Sequence, residues 1–386
     1  MATQPIPRSV LAPRKSRTIR SRETNLTLFP TAARHGYARD AGASLPPPEP
    51  DRSWKPHAEL AGIARLAASS PLAEAKCGTE YFLLPVRSIL NYCESERVPF
   101  RWTVNPYRGC EFGCHYCYAR YTHEYMELDG EEFEQKIFVK QNAGELMERD
   151  LSSEAIWGEQ VALGTATDPY QPAEREFGVT RKILEKMAER DGLNVSITTK
   201  SNLIVRDIEL LRRIAARSSL TINMSVTTVN ARLARMLEPR APRPDLRLAA
   251  VGQLREAGLA AGVFAMPIIP GITDGEKSLD ALARAAKEAR AQWLGARVLF
   301  LTNSTLDHFL PFLEEKFPAL ARRYKAWYAH STDPPEKMRV EIAARVEAVR
   351  RKYNLGSRPT AAEGARMWRS PQLALALGGG VVRAEA

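Results

Sequence analysis

The sequence predicts an α/β fold, an open, partial (β/α)6 barrel with extensions at both ends, and three observations support this prediction. Six short apolar runs alternate with helical patterns between residues 101 and 302. Such alternation implies parallel strands joined by right-handed crossovers. Polar residues follow several of the runs, at the strand ends where parallel barrels bind ligands. The 386 residues, 44% of them hydrophobic, suffice for one large domain with extensions.

The predicted elements follow the barrel order along the chain. The six strands are expected at 101–105, 160–165, 195–199, 221–226, 262–267 and 297–302. Helices are expected near 175–190, 206–216, 229–237, 246–257 and 276–291, and an extra strand at 137–139. A short helix is expected at 56–68, and three more at 306–316, 318–329 and 335–352. The last of these begins at a proline, which suits the first position of a helix.

The chain divides into four predicted segments. They are a disordered basic arm at 1–55, a lead-in segment at 56–99, the partial barrel at 100–304 and a helical C-terminal extension at 305–386. The arm holds ten Lys or Arg residues and four acids, so it carries +6 of the net +10 charge. A basic arm of this kind binds nucleic acid through phosphates or is simply a solvated disordered segment, and both interpretations stay open.

Three of the five cysteines lie within eight residues, at Cys110, Cys114 and Cys117 in the spacing C-x3-C-x2-C. Gly109 and Gly113 favour a loop that wraps a compact object, because glycine frees the backbone for close approach. Three thiolates from one loop suit an iron–sulfur cluster. Three ligands leave one iron of a four-iron cluster open to a substrate or cofactor, so the motif indicates catalysis rather than electron storage.

Two other uses of the cysteines are less well supported by the sequence. A zinc site would take His115 or His123 as a fourth ligand, but structural zinc sites come as two ligand pairs, and the sequence has no second pair. A disulfide framework is disfavoured because five cysteines in a long chain are sparse. Cys77 and Cys93 are isolated, and both are predicted to be small buried apolar residues.

The cluster loop resembles that of the radical S-adenosylmethionine (radical SAM) enzymes, since aromatic Tyr116 precedes the last cysteine. Its context at 105–110 and 117–120 is similar to that of uncharacterised bacterial radical SAM proteins grouped with spore photoproduct lyase. The resemblance extends over about residues 79–353. It implies a six-stranded partial (β/α) barrel, a [4Fe-4S] cluster on Cys110, Cys114 and Cys117, and S-adenosyl-L-methionine at the open iron.

The resemblance also implies the residues that contact S-adenosylmethionine at successive strand ends. Tyr116 belongs to this set. After the second strand this chain departs from the glycine-rich, acidic motif of related enzymes and has Thr165, Thr167 and Asp168 as candidate acceptors for the amino group, although Asp168 can instead build a hydrogen-bonded turn. Lys200 matches a lysine that binds the carboxylate, and a compact ammonium suits that partner.

Asn223 and Ser225 are expected to contact the ribose or carboxylate, or else to bond to neighbours inside the barrel. Ile268 lies in an apolar segment, 266–274, that resembles the part of these enzymes that holds adenine. The segment 239–247 is predicted to be a basic loop at the barrel mouth, suited either to an acidic substrate or to a rigid surface connection.

The predicted function is a radical SAM enzyme of the lyase or oxidoreductase type. It would cleave S-adenosylmethionine reductively to a 5′-deoxyadenosyl radical that takes hydrogen from an unknown substrate, with an electron donor such as flavodoxin or ferredoxin. One alternative is a DNA photolesion lyase like spore photoproduct lyase, which uses a cysteine downstream of the cluster. Here no cysteine follows Cys117, although a tyrosine could substitute. The other is a nucleic-acid-binding protein with a structural cluster.

The expected compartment is the cytoplasm. No run of about 18 apolar residues suggests a membrane span, and the N-terminus lacks the apolar core of a secretory signal. A thiolate cluster open to S-adenosylmethionine also needs a reducing compartment.

Overall fold

The computed structural model describes residues 60–95, 97–153, 156 and 158–359. The predicted disordered arm at 1–55 lies outside these residues, as does the end of the predicted C-terminal extension. No helix in the described part is long and apolar enough to cross a membrane.

Eleven strands and twelve α-helices make up the described structure. The strands are β1 (Leu72–Lys76), β2 (Thr79–Leu83), β3 (Leu90–Tyr92), β4 (Trp102–Val104), β5 (Tyr107–Arg108), β6 (Lys136–Val139), β7 (Gln160–Leu163), β8 (Asn194–Thr199), β9 (Ser219–Ser225), β10 (Ala261–Ile268) and β11 (Leu294–Val298). The helices are α1 (Gly62–Ala68), α2 (Tyr121–Glu124), α3 (Ala143–Asp150), α4 (Glu174–Phe177), α5 (Val179–Met187), α6 (Ile208–Arg217), α7 (Ala231–Leu237), α8 (Pro244–Glu256), α9 (Glu276–Glu288), α10 (Asn303–Lys316), α11 (Pro318–Trp327) and α12 (Glu336–Tyr353).

The larger sheet has the strand order β11-β10-β9-β8-β7-β4-β3. Its six strands from β4 to β11 are all parallel, and short β3 pairs antiparallel with β4 at the edge. The sheet is open, because its two edge strands do not pair with one another within the described residues. The predicted α/β class with six parallel strands is therefore confirmed.

The sixth parallel strand lies earlier than predicted. It runs from Leu294 to Val298 rather than over 297–302. Leu294 is buried beside Val263 of β10, so the strand begins where the sheet can bury it. The apolar residues that suggested a later strand, Leu299 and Leu301, pack instead against α10 and α11. Burial under helices and burial in a sheet leave the same short apolar pattern.

The smaller sheet, ordered β1-β2-β6-β5, contains the extra strand predicted at 137–139. Its β1–β2 turn corrects one prediction, because Cys77 is exposed, whereas Cys93 is buried as expected. Cys77 and Gly78 form the two-residue turn and both have positive φ, as tight hairpins require. The turn geometry places the Cys77 side chain outside the core.

The three helices beyond residue 302 cover one end of the sheet. The helix α12 packs on α9 and β11, while α10 and α11 bury an aromatic cluster against the loop that carries the three cysteines. Phe309 and Tyr324 are fully buried in this cluster, which also contains the buried cysteines Cys110 and Cys114. Three helices are thus present between residues 303 and 353, and α10 and α11 shield the cysteine loop.

Gly262 provides a test of the packing between β10 and β11. A Cβ atom there would lie 2.3 Å from the Trp293 ring, whose Nε1 donates to Asn223 at 3.1 Å. We expect Gly262→Ala to lower the free energy of unfolding by about 1–3 kcal/mol through overpacking. Gly252→Ala in α8 is the matched control, because its Cβ meets no atom within 4 Å; it should be neutral or slightly stabilising. Urea denaturation measures both, and equal effects would contradict the close packing.

Candidate active site

A cavity of about 280 Å³ lies at the carboxyl ends of the parallel strands. Its wall includes Cys110, Cys114 and Cys117, together with Thr165 after β7, Lys200 after β8 and Ser225 at the end of β9. Catalytic groups of parallel barrels gather at this end of the strands. The structure therefore brings together the predicted cysteines and several of the predicted cofactor contacts.

Gly109 allows the cysteine loop to approach the smaller sheet closely. Its φ is +82°, and a Cβ atom would lie 2.7 Å from the carbonyl oxygen of Lys136 and 2.8 Å from that of Phe133. The Cys110 amide donates to the same Phe133 carbonyl at 3.0 Å. Only glycine combines this conformation with this distance, so Gly109 sets where Cys110 begins the loop.

The chain after β7 holds the cysteine loop from a second side. Thr167 Oγ1 donates to the Gly109 carbonyl at 2.6 Å, and Gln171 Nε2 donates to it at 3.2 Å. The Glu111 amide donates to Gln171 Oε1 at 2.9 Å, and the Glu111 carboxylate accepts from Tyr81 and from the Ala173 amide. The Thr167 hydroxyl, a predicted cofactor contact, is thus bound to the loop itself.

The chain around α7, from Thr227 to Glu238, holds the loop from a third side. The His115 amide donates to the Leu237 carbonyl at 3.1 Å, and the Tyr116 hydroxyl binds Thr227 and the Glu238 carboxylate. Glu238 pairs with Arg247 at 2.6 Å, and each side chain is only 1% exposed. Burial would raise the pKa of Glu238, but Arg247 and Lys200 hold it below its usual range.

Arg247 corrects the expectation of a basic surface loop at 239–247. The residue lies inside α8 and points inward, donating to the carbonyl oxygens of Pro242 at 2.7 Å and Ser225 at 3.1 Å. One arginine of the run is therefore a buried brace between Glu238 and the end of β9. The sequence of arginines and prolines in this segment does not indicate which arginine side chain is buried.

The three cysteines of the loop line the wall of one cavity. Burial raises the pKa of all three, that of Cys114 to about 12, so a bound cation is needed to stabilise the thiolates. No three His, Cys, Asp or Glu side chains in the described residues are placed as ligands of one metal ion.

Lys200 contributes a cation to the same cavity. Its Nζ lies 5.9 Å from the centre of the Tyr116 ring. Burial would lower its pKa, but the nearby Cys114 thiol and the Glu238 carboxylate raise it above the usual value. Within the described residues the ammonium makes no hydrogen bond or ion pair, so its donors are available to a ligand.

Thr165 and Asp168 lie in the cavity wall, but much of their hydrogen-bonding capacity is in use. The Asn105 side chain binds the Thr165 amide at 3.0 Å and its hydroxyl at 3.1 Å. Asp168 accepts from Thr199 Oγ1 at 2.6 Å and from the amides of Lys200 and Tyr170. Asp168 thus builds a hydrogen-bonded turn, which is the structural alternative predicted for it. It also holds the backbone of Lys200 in place.

Asn223 and Ile268 do not line the cavity, whereas Ser225 does. The Asn223 amide donates to Ser196 and the Ile197 carbonyl and accepts from an indole, which is the barrel-interior role considered from sequence. The register of β10 against β11 shifts between Ala265 and Ile268. This irregularity leaves Met266 and Pro267 on the cavity wall and Ile268 in the core.

Ser196 and Thr198 line the cavity and were not predicted. They alternate along β8 with buried apolar residues and share the face that ends at Lys200. The period of two in the sequence around Lys200 was a signal for them. Arg97, Arg297 and Arg358 also line the cavity, from distant parts of the chain, and no local pattern brings them together.

The fold and cavity define an α/β protein with an open parallel sheet and a three-cysteine loop at the ligand-binding end. A model of the Radical SAM superfamily matches residues 104–283. An uncharacterised protein of Mycobacterium tuberculosis (strain ATCC 25618 / H37Rv) is 35% identical over 259 residues, which cover 67% of this chain and 76% of the relative. An uncharacterised protein of Methanocaldococcus jannaschii is 31% identical over 176 residues, covering 46% and 63%.

The chain therefore belongs to the radical SAM superfamily. Its fold is like that of spore photoproduct lyase. A mutant of that enzyme with bound AdoMet and dinucleoside spore photoproduct matches with a TM-score of 0.54 and 15% identity, over 78% of this chain and 87% of that one. At this identity the likeness concerns the fold.

The buried pair of Glu238 and Arg247 can be tested by mutation. Arg247→Met leaves a buried carboxylate without its partner, so the free energy of unfolding should fall by about 3–5 kcal/mol. The double variant Glu238→Gln with Arg247→Met should recover part of this loss. Arg243→Met removes an exposed cation paired with exposed Asp245 at 3.0 Å, and it should cost less than about 1 kcal/mol. Denaturant titration decides, and similar losses for Arg243 and Arg247 variants would count against the brace.

Proposed function

We propose that this protein is a radical SAM enzyme whose [4Fe-4S] cluster is held by Cys110, Cys114 and Cys117. The observation that carries the proposal is that three thiols from one loop line the same cavity as the ammonium of Lys200. When bound, the cluster supplies the electron that cleaves S-adenosylmethionine to methionine and a 5′-deoxyadenosyl radical. The protein supplies orientation and a site shielded from water.

S-adenosylmethionine has complementary groups along the strand ends in this proposal. The Lys200 ammonium binds the carboxylate, and the hydroxyl of Thr165 with neighbouring backbone oxygens accepts the amino group. Ser225 and Thr198 lie where polar contacts to the ribose are available. Met266 and Pro267 present an apolar wall to the adenine, in place of Ile268. The cavity volume of about 280 Å³ is near the lower end of the range for small-molecule sites.

Residues of this chain also protect a reactive intermediate. The aromatic cluster of α10 and α11 closes the outer side of the cysteine loop, and Phe312 stacks on His115 at 4.3 Å. Tyr116 and Thr227 fix the inner side through Glu238. Such shielding prevents quenching of a radical by solvent and favours hydrogen transfer from a bound substrate. Reduction by a small electron carrier such as flavodoxin or ferredoxin completes the proposed cycle.

A DNA photolesion lyase is the second candidate, and the fold match to spore photoproduct lyase favours it. The chain has no cysteine after Cys117 to serve as a hydrogen donor. Tyr118 lines the cavity beside Cys117 and donates a hydrogen bond to the Thr165 carbonyl. A lyase reaction here would therefore rely on a phenol, which makes the general radical SAM assignment the better supported of the two.

Formation of 5′-deoxyadenosine tests the proposed activity. The anaerobically reconstituted protein with dithionite and S-adenosylmethionine should release it, and Cys117→Ala should abolish release because one cluster ligand is lost. Cys77→Ala is the matched control, since this exposed thiol lies in the β1–β2 turn outside the cavity. Chromatographic quantification, normalised to iron content, measures all three proteins. Release by Cys117→Ala equal to that of the control would refute Cys117 as a cluster ligand. No release by a wild-type protein that holds four irons would refute the proposed activity and favour a nucleic-acid-binding protein with a structural cluster.

Lys200 should act on cofactor affinity. Lys200→Met removes one charge-assisted hydrogen bond to the carboxylate, so the Kd for S-adenosylmethionine should rise about tenfold to a hundredfold. Lys182→Met, on the exposed face of α5, is the control and should leave the Kd unchanged. Equilibrium dialysis of reconstituted protein without reductant gives both values. An unchanged Kd in Lys200→Met would remove Lys200 from the site.

A further inference from the structure

Three arginines from separate parts of the chain line the cavity that contains the thiols. Arg97 precedes β4, Arg297 lies in β11, and Arg358 follows α12. Arg97 and Arg297 are exposed and Arg358 is half-buried, while Cys110 and Cys114 are buried. The arginines therefore form the outer edge of the cavity, here called the arginine rim, and the cysteines lie at its floor.

The arginine rim carries more positive charge than its neighbours neutralise. Arg97 pairs with Asp333 at 2.9 Å. Neither Arg297 nor Arg358 pairs with a carboxylate in the part of the chain that the structure describes. Although the Arg297 side chain is exposed, surrounding atoms partly desolvate its guanidinium, and this effect together with the nearby Arg97 lowers its pKa. With Asp333 counted, the rim has a net charge of +2.

Aromatic rings hold the guanidinium groups in position. Arg97 and Arg297 lie 5.9 and 5.8 Å from the centre of the Phe300 ring, and Arg358 lies 5.2 Å from that of Phe264. Arg297 Nη1 also donates to the Arg97 carbonyl at 2.8 Å. Guanidinium groups placed over rings keep their planar donors while losing side-chain freedom. The rim is thus an organised set of hydrogen-bond donors rather than a solvated surface patch.

The other charged groups in the described cavity wall are already assigned. The Asp168 carboxylate accepts from Thr199 and from two backbone amides. Lys200 binds the carboxylate of S-adenosylmethionine in the proposed function. Arg297 and Arg358, which pair with no carboxylate in the described residues, are therefore available to a group of the substrate.

We propose that the arginine rim binds a phosphate group of the substrate, whose apolar or aromatic body packs against Phe300 and Phe264. The inference deepens the proposed function and rests on it, because it places the substrate beside the cofactor site. Guanidinium groups bind phosphate oxygens in bidentate fashion, and a phosphate dianion matches the net charge of +2 better than a single carboxylate does. The position of the rim directs the opposite end of the substrate towards the cysteines.

Phenyl phosphate is the probe, with benzoate as the single-charge control and phenol as the uncharged control. Calorimetric titration uses protein reconstituted with its cluster, with S-adenosylmethionine present and reductant absent. We expect phenyl phosphate to bind at least about tenfold more tightly than benzoate, with binding that weakens as salt rises, and phenol to show no binding.

Arg297→Gln and Arg358→Gln should each weaken phenyl phosphate binding about tenfold, because each removes a charge-assisted contact. Arg212→Gln is the matched control, since Arg212 is an exposed cation of α6 away from the cavity, and it should have no effect. Circular dichroism melting curves check that the variants fold. The wild-type comparison with phenol needs no variant and remains decisive if one fails to fold.

Phenyl phosphate that binds no more tightly than phenol, or binds equally to the Arg297 and Arg358 variants, would overturn the inference. Failure of the proposed function is seen separately, because 5′-deoxyadenosine formation by the wild-type protein requires reductant and no phosphate probe. Formation of 5′-deoxyadenosine without binding of phenyl phosphate would refute only the proposed role of the arginine rim. Binding of phenyl phosphate without formation of 5′-deoxyadenosine would support the rim as an anion-binding site and refute the proposed radical chemistry.

Discussion

The site depends on one constraint, the close approach of the cysteine loop to three separate parts of the fold. The Gly109 backbone lies against the carbonyl oxygens of Phe133 and Lys136 at a distance that excludes any side chain. Its own carbonyl accepts two hydrogen bonds from the chain after β7. The same loop is bound through Tyr116 to the chain after α7. Because the loop is held on three sides, its three thiols are already ordered. Binding of the proposed cluster would therefore cost little conformational entropy.

Charge is distributed through the cavity in layers. Buried Glu238, neutralised by Arg247, lies behind Tyr116 and stabilises the ammonium of Lys200. The cavity wall also contains apolar side chains, and the arginine rim adds positive charge at its exposed edge. Electrostatic interactions are stronger in such a shielded site than in water, so a few groups suffice to orient a charged cofactor and substrate. The layers give the cavity a direction, from cysteines at the floor to cations at the edge.

Side-chain direction was the least predictable part of the site. Asn223 and Ser225 lie two residues apart on one strand, yet the Asn223 amide is bound within the sheet and Ser225 faces the cavity. At the register shift in β10, Met266 and Pro267 line the cavity, whereas the expected Ile268 does not. Thr167 holds the cysteine loop rather than presenting a free hydroxyl. Each outcome depends on which partner a polar group finds across the sheet, and residue spacing does not encode that choice.

The sequence by itself determined the class of the protein and the position of the cysteines. Alternating strand and helix patterns specify six parallel strands, since a strand-to-strand crossover has one favoured hand, and the C-x3-C-x2-C loop follows from covalent neighbours alone. Lys200 was predicted from its match to a lysine of related enzymes, in a stretch where it is the only charged residue. The tertiary structure decided which distant groups share the cavity. Arg97, Arg297 and Arg358 lie far apart in sequence. Arg97 and Arg297 meet because the chain between β3 and β4, at one edge of the sheet, lies against β11 at the other edge, where Arg297 Nη1 donates to the Arg97 carbonyl.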